Sequence, residues 1–192
     1  MLQRLYDQTM RLAAGRHALW MLAAVAFAES SFFPLPPDVL LIPMILADRR
    51  HAFRLAALCT IASVIGGLLG YAIGYFAFAA IGQPILEFYQ AMDRYEALKA
   101  SFDQWGALII VAKGMTPIPY KLLTITAGAL QFDLASFAVA SLISRSIRFF
   151  LVAALLWWFG EPIRAFIEKR LALVTSVFLI LLVGGFVALR YL

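Results

Sequence analysis

The chain has 192 residues, of which 64% are hydrophobic and 14% charged, with a mean hydropathy of +0.88. A soluble globular domain is about half apolar and about a quarter charged, so this composition describes an integral membrane protein, with one membrane domain over residues 1–192. The 16 Lys and Arg outnumber the 11 Asp and Glu but gather at the flanks of apolar runs, as the positive-inside bias requires, which excludes nucleic acid as partner; the single Cys59 excludes a disulfide framework, and the isolated His17 and His51 exclude a His/Cys metal site.

Residues 1–15 alternate Leu2, Leu5, Tyr6, Leu12 and Ala13 with Arg4, Asp7 and Arg11, which predicts an amphipathic helix in the headgroup layer. Arg4, Arg11 and Arg16 followed by an apolar run to Ala26-Phe27-Ala28 have the outline of a signal peptide. The basic segment is long for that role and apolar character resumes after Glu29, so the run is read as part of the membrane domain. Over residues 18–47 the run is broken by Pro34-Leu35-Pro36-Pro37 and holds two acids, Glu29 and Asp38. Prolines so close together cannot continue one helix, because each lacks an N–H and clashes with the preceding turn. With Arg4, Arg11 and Arg16 on one flank and Arg49, Arg50 and Arg54 on the other, the run enters and leaves on one face, as a re-entrant hairpin.

Residues 55–82 carry no charge and contain Gly66, Gly67, Gly70 and Gly74, which predicts a spanning helix that another backbone can approach closely. Residues 84–104 are polar, with Glu87, Asp93, Glu96 and Asp103 against Arg94 and Lys99, and read as a second interfacial helix. Residues 105–132 form a second broken run, interrupted by Pro117-Ile118-Pro119 and carrying Lys113 and Lys121, and predict a second re-entrant hairpin. Residues 134–159 predict a spanning helix in which Ser141, Arg145 and Arg148 share a face, and 171–189 an uncharged third span. Trp157 and Trp158 suit an aromatic belt.

The two breaks are related by a constant offset of 83 residues: Pro34-x-Pro36-x-Asp38 matches Pro117-x-Pro119-x-Lys121, with the charge reversed. One spanning run separates them, so the copies enter from opposite faces. Such inverted broken helices point to a transport site near the midplane. The expected fold is therefore all-α and membrane-integral, with two inverted re-entrant hairpins, about three transmembrane helices and interfacial amphipathic helices. Where the tips meet, a watered cavity is expected. Charges at membrane depth cost about 2.5 to 3.5 kcal/mol each. Glu29 and Asp38 offset half of Lys113, Lys121, Arg145 and Arg148, and the surplus positive charge suits an anionic, phosphate-bearing ligand. The carboxylates offer a route for proton coupling. The lysines have a plainer use, snorkelling to the interface.

The segment Glu29-Ser30-Ser31-Phe32-Phe33-Pro34-Leu35-Pro36-Pro37-Asp38, the glycines Gly66 to Gly74, Lys113-Gly114-Met115-Thr116-Pro117-Ile118-Pro119-Tyr120-Lys121 with Gly128, and Arg145 together resemble the DedA family, the SNARE-associated or VTT-domain membrane proteins, and within it the YqaA-like members. That resemblance covers residues 18–159. It implies a multi-pass protein of the bacterial inner membrane that moves polyprenyl-phosphate or phospholipid, coupled to protons or sodium, with a role in membrane homeostasis. The family's functional acids and bases fall on Glu29, Asp38, Lys113 and Lys121, with Lys where many members have Arg. The partners expected are lipids with anionic headgroups and a second copy of the chain, with no cofactor and no metal. An alternative class is an assembly protein whose buried charges hold an oligomer together. An enzyme is not expected, because no nucleophile and base stand together and no carboxylate cluster suits Mg²⁺.

Overall fold

A computed structural model describes residues 17–33, 36–88, 90, 92–114 and 120–169, with backbone alone for Ile85, Arg94 and residues 161–169. Every regular element among them is helical. Helix α1 spans Ala18–Ser31 and α2 spans Asp38–Ala47, on either side of the first proline break. A 3₁₀ turn, Arg49–His51, leads into α3, Ala52–Ala77, which continues through a π-helical segment, Phe78–Gly82, into α4, Gln83–Phe88. Helix α5 is Met92–Gly114, α6 is Tyr120–Ala129, and α7 is Leu134–Lys169 with a kink at Phe159. The expected interfacial helix over 1–15, the third span over 171–189, and Pro34, Pro117 and Pro119 lie outside the described residues.

Helix lengths follow from the breaks. At about 1.5 Å rise per residue, α1 reaches about 21 Å and α2 and α6 about 15 Å, short of a hydrocarbon core of about 30 Å. The segments Arg49–Gly82 and Leu134–Gly160 are the two described helices long and apolar enough to cross. One boundary differs from the sequence reading. The amphipathic stretch over 84–104 is not one helix: its first residues extend α3 as α4, Gln90 turns the chain at a φ of 51°, and the remainder runs without interruption through Trp105 to Gly114. The polarity change at Trp105 alters what the helix faces, while nothing there removes a backbone hydrogen bond.

The framework is the antiparallel pair α3 and α7. Gly160 near the far end of α7 approaches Arg49 before α3, and the Tyr71 hydroxyl late in α3 donates to the Phe132 carbonyl just before α7, at 2.6 Å. Two apolar clusters occupy opposite ends of this pair. Leu22 of α1, Leu41 and Ile45 of α2, Leu55 and Cys59 of α3 and Phe149, Ala153 and Leu156 of α7 fill one; Ile110 of α5, Tyr120 and Ala127 of α6 and Phe137 and Ala140 of α7 fill the other. Both arms of the first broken run thus pack at one end and both arms of the second at the other. Helix α3 packs on α1 of its own half and α6 of the other, and α7 packs on α5 of its own half and α2 of the other. The 83-residue sequence repeat thus has a counterpart in the packing.

Close approach explains the glycines. A Cβ on Gly66 would collide with the Phe27 carbonyl of α1, one on Gly74 with the Ile125 carbonyl of α6, and one on Gly128 with the Tyr71 carbonyl of α3. The opposite face of α3 is bulky: Ile61, Ile65, Leu69, Ile73 and Phe76 are exposed at helical spacing. Small and hydroxyl-bearing residues inside with large aliphatics outside reverse the soluble pattern and match a helix solvated by lipid.

Candidate functional site

Both acids of the first broken run meet arginines of α7, Glu29 meeting Arg145 and Asp38 meeting Arg148. Glu29 lies in the last turn of α1, where the helix dipole disfavours a carboxylate, and its Oε2 stands 3.8 Å from Arg145 Nη1 and accepts from the Ser30 hydroxyl at 3.1 Å. Asp38 begins α2, where the dipole favours it, and its Oδ2 accepts from Arg148 Nη2 at 2.6 Å. The Arg148 and Asp38 side chains keep 23% and 15% of their exposure, and Arg145 keeps 1%.

The second broken run supplies the floor under Arg145. Tyr120 opens α6, and the Arg145 guanidinium carbon lies 3.6 Å from its ring centre, with Phe149 at 5.8 Å. The Tyr120 hydroxyl donates to Ser141 Oγ at 2.5 Å, which ties the ring to α7. The Arg145 guanidinium therefore faces a carboxylate on one side and an aromatic ring on another. Asp38 Oδ1, Arg145 Nε and Arg145 Nη2 are buried with no hydrogen-bond partner among the described residues.

The two tips touch directly. Lys121 Nζ donates to the Phe32 carbonyl at 3.4 Å, and Thr124 Oγ1 donates to the Ser30 carbonyl at 3.1 Å. The Ser30 and Ser63 hydroxyls share a 2.5 Å hydrogen bond, and the Ser31 hydroxyl donates to the Gly66 carbonyl at 2.8 Å. Where a watered cavity is expected, these hydroxyls and Gly70 are in contact. A groove of about 530 Å³ lies instead between α5 and α7, lined by Leu108, Val111, Val139, Ala140 and Ile143. Lys113 stands exposed in the last turn of α5, where the dipole favours a cation. Pro36 and Pro37 lead into α2, and Pro37 accepts at its carbonyl from Leu40 and Leu41. No group of three or more His, Cys, Asp or Glu among the described residues is arranged to hold a metal.

Sequence reasoning missed Tyr120, Ser30, Ser63 and Thr124. Tyr120 stands directly between Pro119 and Lys121 in the sequence, and an aromatic next to a base beside a helix break is the signal that marks it.

A model of the VTT domain matches residues 35–157. The chain belongs to the VTT-domain family. This is the family also called DedA or SNARE-associated, membrane proteins linked to transport. The match takes in Asp38, Lys113, Lys121, Arg145 and Arg148 and begins six residues after Glu29. The chain is 38% identical to an uncharacterized protein of Haemophilus influenzae over 97% of its own length and 96% of that protein's. To an uncharacterized protein of Histophilus somni it is 36% identical over 87% of each chain. An uncharacterized protein of Methanocaldococcus jannaschii shares 25% identity over 65% of this chain and 74% of its own. No solved structure matches. In this VTT-domain protein the acids and cations therefore sit inside or beside the matched region, on elements that both proline breaks define.

Proposed function

We propose that this VTT-domain protein is a transporter or flippase for a lipid with an anionic headgroup, a phospholipid or a polyprenyl phosphate, in the bacterial inner membrane. The observation that carries the reading is the joining of both acids of one broken run to two arginines of the opposite half's spanning helix, Glu29 to Arg145 and Asp38 to Arg148. Charges at such depth are expensive and point to function. Helices α1, α2 and α6, too short to span, and the packing of the two broken runs at opposite ends of an antiparallel pair support re-entrant hairpins that enter from opposite faces. In this reading Lys113 and Lys121 help to neutralise the headgroup, and Glu29 and Asp38 couple its movement to protons or another cation. Membrane homeostasis is the process served, the chain is a YqaA-like member of the family, and no bond-making chemistry is involved. A second copy of the chain is a further partner.

The test is reconstitution of the full chain in proteoliposomes containing a fluorescent short-chain phosphatidylglycerol, with inward movement followed by quenching of the outer leaflet. Transport by the wild type and its loss in E29Q and D38N at unchanged reconstituted level is the expected result. Loss of assembly with unchanged lipid movement per folded molecule would establish the assembly role instead.

A further inference from the structure

The structure assigns Arg145 as the residue that grips the ligand's oxyanion, through its Nε and Nη2 edge, and assigns phosphate as the oxyanion class; this rests on the transport reading above and specifies its binding group. Four observations converge. First, Nε–H and Nη2–H lie side by side on one edge of the guanidinium, the edge that takes two oxygens of an oxyanion at once, and both are buried without a partner among the described residues. A buried donor pair on a side chain only 1% exposed is the feature that a built anion site requires.

Second, the two ion pairs differ in kind. Arg148 holds Asp38 at hydrogen-bond distance and Asp38 sits at a favourable helix terminus, so that pair is closed. Arg145 faces Glu29 only across 3.8 Å, beyond a hydrogen bond, with Glu29 at an unfavourable helix terminus. Glu29 is thus the carboxylate that a competing anion displaces at least cost.

Third, the Tyr120 ring at 3.6 Å fixes the guanidinium plane, so the unpaired edge is oriented before any ligand arrives. Fourth, Lys121 follows Tyr120 and already reaches the other tip at the Phe32 carbonyl. A phosphate group that gives two oxygens to Arg145 keeps a further oxygen for a lysine, whereas a carboxylate offers a lysine only the remaining lone pairs of the same two oxygens.

The experiment uses the full chain in detergent with two phosphate probes, inorganic phosphate and dihexanoyl phosphatidic acid, and two controls, acetate and dihexanoylglycerol, and reads affinity from thermal shift titration. Phosphate-bearing probe binding is expected to weaken about tenfold in R145K, where the planar fork is lost and the charge kept. It is expected to tighten in E29Q, where the competing carboxylate is gone, and to stay unchanged in R54Q, an exposed arginine at the start of α3. The gain in E29Q cannot come from misfolding. Binding of both phosphate probes supports the site with free phosphate as an admissible source; binding of phosphatidic acid alone supports it with the lipid headgroup as source. Wild-type affinity in R145K, no gain in E29Q, acetate binding equal to phosphate, or no binding of either probe overturns the assignment. Intact lipid movement with unchanged R145K affinity rejects this site alone, whereas phosphate binding with no lipid movement rejects the transport reading alone.

Discussion

Arg148 donates to Asp38 across 110 residues of sequence, at 2.6 Å, and so fastens the start of α2 to the middle of α7. Removing one partner leaves the other partly buried and unpaired. With both side chains retaining some exposure, D38A is expected to cost about 2 kcal/mol, below the range for fully buried pairs. Thermal unfolding in detergent measures it, and the exchanged double variant D38R/R148D recovers part of the loss.

The glycine contacts give a graded series. G74A and G128A each drive a methyl into the backbone of the facing helix and are expected to cost about 1 to 3 kcal/mol. G67A meets Thr124 Cγ2 and a Tyr120 ring carbon at 3.4 Å, ordinary contact, and gains helix propensity of up to about 1 kcal/mol. Melting temperatures that fall for the first two and hold or rise for the third check the account.

Tyr120 contributes a ring and a hydroxyl separately. Y120F removes the hydrogen bond to Ser141 and is expected to cost about 1 kcal/mol while leaving the Arg145 stack. Y120L removes both and is expected to cost about 1 kcal/mol more. Unfolding of the two variants side by side separates the terms.

Thr124 bridges the tips. T124V keeps the shape against Gly70 but loses the donor to the Ser30 carbonyl, for an expected cost of about 1 kcal/mol. Cross-linking between cysteines placed at residues 32 and 121 reports whether the tips also separate more often.

At the start of α7 the Ser136 amide donates to Asp133 at 2.7 Å and holds that carboxyl below its ordinary range. A depressed value in the folded chain means that the stabilisation is present above the ordinary carboxylate range and is lost as pH falls through the folded value. D133A is expected to lower the melting temperature at neutral pH and to flatten its acid dependence, with D133N between the two, as a pH series of melting curves shows.

Much of the plan was written locally. Hydropathy located both spanning segments among the described residues, because transfer from water is a property of each residue run, and the prolines located the breaks between α1 and α2 and between α5 and α6, because a missing N–H acts on its own turn. Even the 83-residue offset needed only the order of residues. The boundary at Gln90 was not legible, since polarity changes gradually there while the chain direction changes at one left-handed residue. Which arginine meets which acid, the aromatic floor that Tyr120 supplies and the contact between the tips were decided only by tertiary structure. These depend on how closely α3 approaches α1 and α6, and that spacing is set by pairs of glycines and carbonyls on helices far apart in sequence.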